Sequence, residues 1–148
     1  MTRYEHTQIG HIIIWSLLVG AVLFSLAATF ESPVHRATHL LVCIVLLIIL
    51  ALFYKLRIRI SSESLSASFD IGIIRKGVPT AEIEACQPIR IRWWYGWGIH
   101  LTPYGWLYNV SGLDAVAITL RSGRKFALGT DDPHGLAAAI GQFTRASG

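Results

Sequence analysis

The sequence predicts an α+β membrane protein: an N-terminal two-helix transmembrane hairpin, then a small antiparallel β-barrel or sandwich of about seven strands, closed by a C-terminal α-helix. Three observations predict it. Between His11 and Tyr54 the only formally charged residues are Glu31 and Arg36, whereas charge returns at ordinary density from Lys55 onward. Beyond Lys55 apolar side chains recur at every second residue, the period of a half-buried strand. Near the C-terminus the period lengthens again, with Leu136, Ile140 and Phe143 at i, i+4 and i+7 on one helical stripe.

Residues 12–30 (IIIWSLLVGAVLFSLAATF) carry no charge and match the roughly 17–25 residues that span hydrocarbon as a helix. Residues 40–54 (LLVCIVLLIILALFY) reach that length when their helix begins upstream. Ser32 and Pro33 supply the start, a capping hydroxyl followed by a residue suited to the first turn. Spans at about 12–30 and 34–54, joined by a tight turn at 31–33, make residues 1–54 the transmembrane unit. Arg3 before the first span and Lys55, Arg57 and Arg59 after the second outweigh Arg36, which Glu31 offsets on the turn side. The positive-inside bias therefore places both termini in the cytoplasm. Ser25-Leu26-Ala27 has the small residues of a signal cleavage site, but the apolar run before it exceeds the roughly 7–15 residues of a signal peptide core.

Residues 55–148 form the second unit, which is cytoplasmic under the same bias. In KLRIRI, Leu56, Ile58 and Ile60 alternate with Lys55, Arg57 and Arg59; SSES turns the chain, and Leu65, Ala67, Phe69 and Ile71 share the next strand face. A third strand is expected at 80–87, and Ile89 to Arg92 lead into an aromatic stretch. There Trp97, Ile99 and Leu101 alternate with glycines and His100, and Trp106, Tyr108 and Val110 alternate with Leu107 and Asn109. Keeping step with aliphatic neighbours places Trp97 and Trp106 in the core. Further strands are expected at 115–120 and 125–128, with turns at Ser111-Gly112 and Ser122-Gly123. Thr130, Asp131, Asp132 and Pro133 then open a helix at about 132–145 whose stripe closes one end of the strands.

The stretch WWYGWGIHLTPYGWLY, residues 93–108, holds four of the five tryptophans and three of the five tyrosines. Trp93, Trp94 and Tyr95 precede Gly96 and Gly98 at a strand end, where exposure is expected, and Arg90 and Arg92 stand beside them. Such rings suit a headgroup layer or a partner's juxtamembrane segment. Lys55, Arg57 and Arg59 follow the second span at once, and each cation near an anionic surface is worth about 1 kcal/mol. Two readings stand for them, a lipid contact and a solvated strand face. These eight residues are the candidate lipid or partner contacts.

Catalytic chemistry finds no footing. The sequence contains no nucleophile elbow, phosphate loop or Cys-x-x-Cys, and Glu82 and Glu84 read as solvated strand charges. No catalytic residue, cofactor or metal site is assigned. Glu31, His35 and His39 fall at i, i+4 and i+8, the spacing of a metal or pH-sensing cluster, but two histidines make an incomplete site. Cys43 in a span and Cys86 in the second unit are too separated to pair. A net charge of +4 raises nucleic acid as a partner; topology explains three of the cations, and none is expected. Ser16, Gly20, Ala21, Ala27 and Ala28 suit close packing within the hairpin or against a second copy of the chain.

The segments WYGWGI (94–99), GWLYNVSGLDAV (105–116) and SGRKFALGTDDPHGLAAAI (122–140) resemble bacterial membrane proteins that attach a pleckstrin-homology-like domain to N-terminal transmembrane helices. The resemblance covers Leu56 to Phe143; His100 departs from it, standing where a basic residue is common. It implies a PH-like barrel in a protein of the bacterial inner membrane, serving as a binding module for protein interaction or assembly. Contact with anionic lipid through the basic first strand and the Trp-rich loop is the alternative. Barrel shape alone does not bring phosphoinositide binding with it, and Arg75-Lys76 and Arg124-Lys125 read as turn charges.

Overall fold

The chain begins with a strand that its sequence conceals. In the computed structural model, which describes residues 2–30 and 35–146, β1 (Thr2–Ile9) leads straight into α1 (His11–Ala28), and α2 (Arg36–Phe53) leads straight into β2 (Lys55–Ser61). β1 and β2 pair antiparallel, with Ile9 opposite Lys55 and Tyr4 opposite Ile60. The ladder runs one step further, where the Gly10 N–H donates to the Tyr54 carbonyl at 2.6 Å. The N-terminal residues, grouped by sequence with the spans in 1–54, thus belong to a sheet. The inward row of β1 is Tyr4, His6 and Gln8, too polar to produce the apolar alternation that marks a strand.

Each of the first two helices has 18 residues, about 27 Å at 1.5 Å per residue, and neither buries a side chain in the protein. Both are long and apolar enough to cross a membrane, and they pack side by side. The turn expected at 31–33 and its Ser32-Pro33 start lie outside the described residues. At the base, a side chain on Gly10 would press on the carbonyls of Val110 at 3.0 Å and Tyr54 at 3.1 Å. The absence of a Cβ there lets α1 leave the sheet close to α2.

β2, β3 (Ser64–Phe69) and β4 (Arg75–Pro79) complete a four-stranded antiparallel sheet in the order β1-β2-β3-β4. β4 is invisible to periodicity because RKGVP offers one buried apolar residue, Val78, and its proline is tolerated at a sheet edge. Thr80–Glu82 is a single 3₁₀ turn, so the strand expected at 80–87 becomes β5 (Ile83–Arg90). With β6 (Gly98–Thr102), β7 (Gly105–Asn109), β8 (Asp114–Leu120) and β9 (Lys125–Gly129) it forms a second sheet, ordered β5-β8-β9-β7-β6. The sheet departs from the expected antiparallel pattern at one place: β7 and β9 run parallel, with Trp106, Leu107 and Tyr108 opposite Phe126, Ala127 and Leu128. Among the described residues there are nine strands, β1 and β4 being the additions.

The main core lies between the two sheets. Leu56, Ile58 and Ile60 of β2 and Leu65, Ala67 and Phe69 of β3 meet Val116, Ile118 and Leu120 of β8 and Phe126 and Leu128 of β9. α3 (Pro133–Ala146) lays the stripe of Leu136, Ile140 and Phe143 into this core and packs on β5 and β8. Its start is capped by Asp132, whose Oδ1 accepts from the Gly135 N–H at 2.9 Å. β1 reaches the same point, where His6 hydrogen-bonds Asp131. Burial, followed by the charges of Asp132 and Asp131, pushes the Tyr4 phenol up. On its outer side the second sheet carries a smaller cluster of Ile91, Leu107, Ala115 and Ala127.

Ile118→Ala, at a fully buried position, is expected to lower the unfolding free energy by about 2–5 kcal/mol, whereas Leu101→Ala, at an exposed one, stays within about 0.5 kcal/mol. Urea titration of the detergent-solubilised chain followed by near-UV circular dichroism checks both values.

Candidate membrane-proximal binding site

The aromatic stretch forms a compact knob between β5 and β6 of the second sheet. Ile91 is buried, and its N–H donates to the Leu113 carbonyl at 2.7 Å. Trp93–Tyr95 form one 3₁₀ turn, which Gly96 ends at φ 67°, a conformation that side chains other than hydrogen disfavour. Tyr95 leans on the cluster around Leu107 and Ala127, while Trp93 and Trp94 project outward at 71% and 55% exposure. Their rings meet edge to face at 5.9 Å, and the Arg92 guanidinium sits 4.8 Å above the Trp94 ring. A cation held on an exposed indole stiffens the knob and keeps its charge at the surface.

β6 then carries the chain against the helices. Trp97, Gly98, Ile99 and His100 face Ile13, Ser16 and Leu17 of α1 and Ile49 and Phe53 of α2 across an open cleft of about 440 Å³. Apart from Ser16 and His100 its walls are apolar or aromatic, and the His100 ring is turned back so that its Nε2–H donates to the Trp97 carbonyl at 2.6 Å. Leu17 lies six residues beyond the start of α1, about 9 Å along the helix. The cleft therefore reaches past the first helical turn.

Trp97 and Trp106 are not core residues, contrary to the alternation. Trp106 does share a face with Tyr108, and Tyr108 packs on the main core, but Trp106 is 52% exposed and Trp97 is exposed as well. β6 is an edge strand, and Leu101, opposite Trp106 in the ladder, is exposed with it. The fully buried pair on β7 is Leu107 and Asn109. Asn109 satisfies its amide internally, donating to the Gly112 carbonyl at 3.2 Å and accepting from the Ser111 N–H at 3.2 Å.

Sequence placed Lys55, Arg57 and Arg59 in one group with Arg90, Arg92 and the WWY turn. The two halves lie on different sheets. The strand half is also matched by acids: Lys55 Nζ stands 3.1 Å from Asp70, and Arg59 and Arg57 lie 3.2 and 3.6 Å from Glu5 on β1. Glu5 went unnoticed because only the β1–β2 register sets it opposite Arg59. Arg90, exposed, ends β5 in register with Asp114, and Arg92 is the cation that lies over the Trp94 ring.

Elsewhere, His39 donates from Nδ1 to the His35 carbonyl at 2.7 Å, and its ring lies 4.5 Å from that of Phe24. Glu31, the third member of that spacing, lies outside the described residues. Cys43 and Cys86 are both free thiols. Burial pushes the Cys86 thiol up. No protein-family model, curated protein or solved structure matches the chain.

Burial acts to raise the Asp70 pKa, but hydrogen bonds from Lys55 and Tyr54 and the charges of Lys55 and Arg57 outweigh it and hold the carboxyl below its ordinary value. A carboxyl lowered by folding stabilises the fold above its unfolded pKa of about 3.9, and that contribution fades as pH falls through the lower folded value. Asp70→Asn is therefore expected to flatten the loss of thermal stability below about pH 4. Melting curves across that range check it, and parallel curves for both proteins would show that the pair does not contribute.

Proposed function

We propose that the chain is a multi-pass protein of the bacterial inner membrane whose PH-like domain is a non-catalytic module that binds a partner protein at the cytoplasmic surface. Two 18-residue apolar helices without a buried side chain support the anchor, because only an apolar solvent compensates for so much exposed leucine and isoleucine. Lys55, Arg57 and Arg59 at the base of the hairpin support cytoplasmic termini. Two packed sheets with a helix against one end support the PH-like reading.

One observation carries the binding role: exposed Trp97 lines an apolar cleft at the junction of domain and helices, with Trp93 and Trp94 exposed just before it in the chain. Exposed aromatic anchors next to a concave apolar surface are the features of a protein-binding hot spot. At this depth the partner segment is juxtamembrane, apolar on the side that enters the cleft and acidic toward Arg92. Lipid contact through the knob is the second reading, favoured by the interfacial preference of tryptophan. The basic first strand supports it less, since Asp70 pairs with Lys55 and Glu5 lies beside both Arg57 and Arg59, offsetting two of its three charges.

A photo-crosslinking amino acid replacing Trp94 or Leu101 in native membranes is expected to trap one discrete protein product. The same group replacing the exposed Gln142 on α3 should trap none. Adducts with lipid alone would transfer the site to the lipid reading, and products equally abundant from all three positions would overturn both.

A further inference from the structure

The turn between β3 and β4, residues 70–74, breaks the usual rule that tight turns are polar. Ile71 and Ile73 stand out at 54% and 71% exposure, while Ile74 between them and β4 packs on the core. Its place in the fold is fixed by register. Phe69 pairs with Leu56, two residues beyond the last residue of α2's cap at Tyr54, and the Phe53 and Phe69 rings meet edge to face at 5.1 Å. The Lys55–Asp70 ion pair ties the turn to the helix exit, and the Phe69 N–H closes it on the Ile74 carbonyl at 3.0 Å. Arg75 folds back to donate to the Gly72 carbonyl. Two exposed isoleucines, with the exposed Arg75 beside them, therefore sit level with the point where the helix pair leaves the sheet.

We infer that this turn is a membrane wedge, with Ile71 and Ile73 inserted among the headgroups and upper acyl chains and Arg75 at the lipid phosphates. The inference rests on the reading that α1 and α2 cross the bilayer, and it uses neither the tryptophan knob nor the cleft. Apolar side chains framed by Lys or Arg at the headgroup boundary are how interfacial segments bind anionic membranes. The wedge gives the domain a second membrane contact beside the helices and fixes its tilt on the surface.

The test uses the full chain in vesicles of phosphatidylcholine and phosphatidylglycerol, in a Cys43→Ala, Cys86→Ala background. Single cysteines replace Ile73, Ile71, Val19 at the middle of α1 and Glu63 in the β2–β3 turn at the far end of the same sheet; each carries bimane. Lipid brominated near the carbonyl end of its chains is expected to quench positions 73 and 71 severalfold more than position 63, and mid-chain bromine to quench position 19 most. Quenching at 19 with 73 and 71 behaving like 63 overturns the wedge and leaves the spans intact. Absence of quenching at 19 removes the spans and the wedge together. Shielding of 73 that appears only at high protein density, without quenching by bromine, assigns the turn to a second copy and overturns the lipid contact.

Discussion

The pairing of β1 with β2 sets the geometry on which the other features depend. Adjacent strands lie about 4.8 Å apart, so a helix pair that leaves from Ile9 and returns at Lys55 is gathered at its base by a ladder that ends in the Gly10–Tyr54 hydrogen bond. The helices cannot swing independently of the sheet without breaking that ladder. Phe53 against Phe69 and the Lys55–Asp70 pair brace the same corner. Position relative to the helices is thereby passed to every element in register with this end of the sheet, the β3–β4 turn first among them.

The same pairing decides the electrostatics of the base. Lys55, Arg57 and Arg59 share the outer row of β2, and β1 brings Glu5 beside two of them. Exposed pairs of this kind contribute only about 0–1 kcal/mol each. Their larger effect is on the local field, because the strand nearest the helices carries less net charge than three unpaired cations would. Exposed apolar area lies elsewhere: at the Arg92-capped knob, the cleft along β6 and the Ile71–Ile73 turn.

An edge strand explains why so much aromatic surface remains open. β6 is paired on one side only, and beyond Ile99 and Tyr108, which pack on the core, Leu101 and Trp106 extend past the cover. Their face is correct for a core; among the described residues no neighbour covers it. Gly98 and Ile99 at the start of the strand are flanked instead by the first two turns of α1 and the last two of α2, and this is where the cleft opens.

By itself the sequence determined the elements whose burial is one-sided and continuous. The two helices, the alternation of Leu56, Ile58 and Ile60, the apolar rows of β3 and β8 and the stripe of Leu136, Ile140 and Phe143 all follow from local periodicity, since a face buried along its whole length must be apolar along its whole length. The projecting Trp93 and Trp94 were legible too, from the glycines after them. Only the tertiary structure decided the rest. β1 is a strand because β2 pairs with it, not because its polar inward row demands it; β4 exists because an edge needs little apolar content. Trp106 is exposed because coverage belongs to the neighbouring element, and the cations of β2 are paired because register across the inserted helices places Glu5 opposite Arg59. Periodicity records which side of an element avoids water; which neighbour meets that side, and how far along it, is set by contacts distant in sequence.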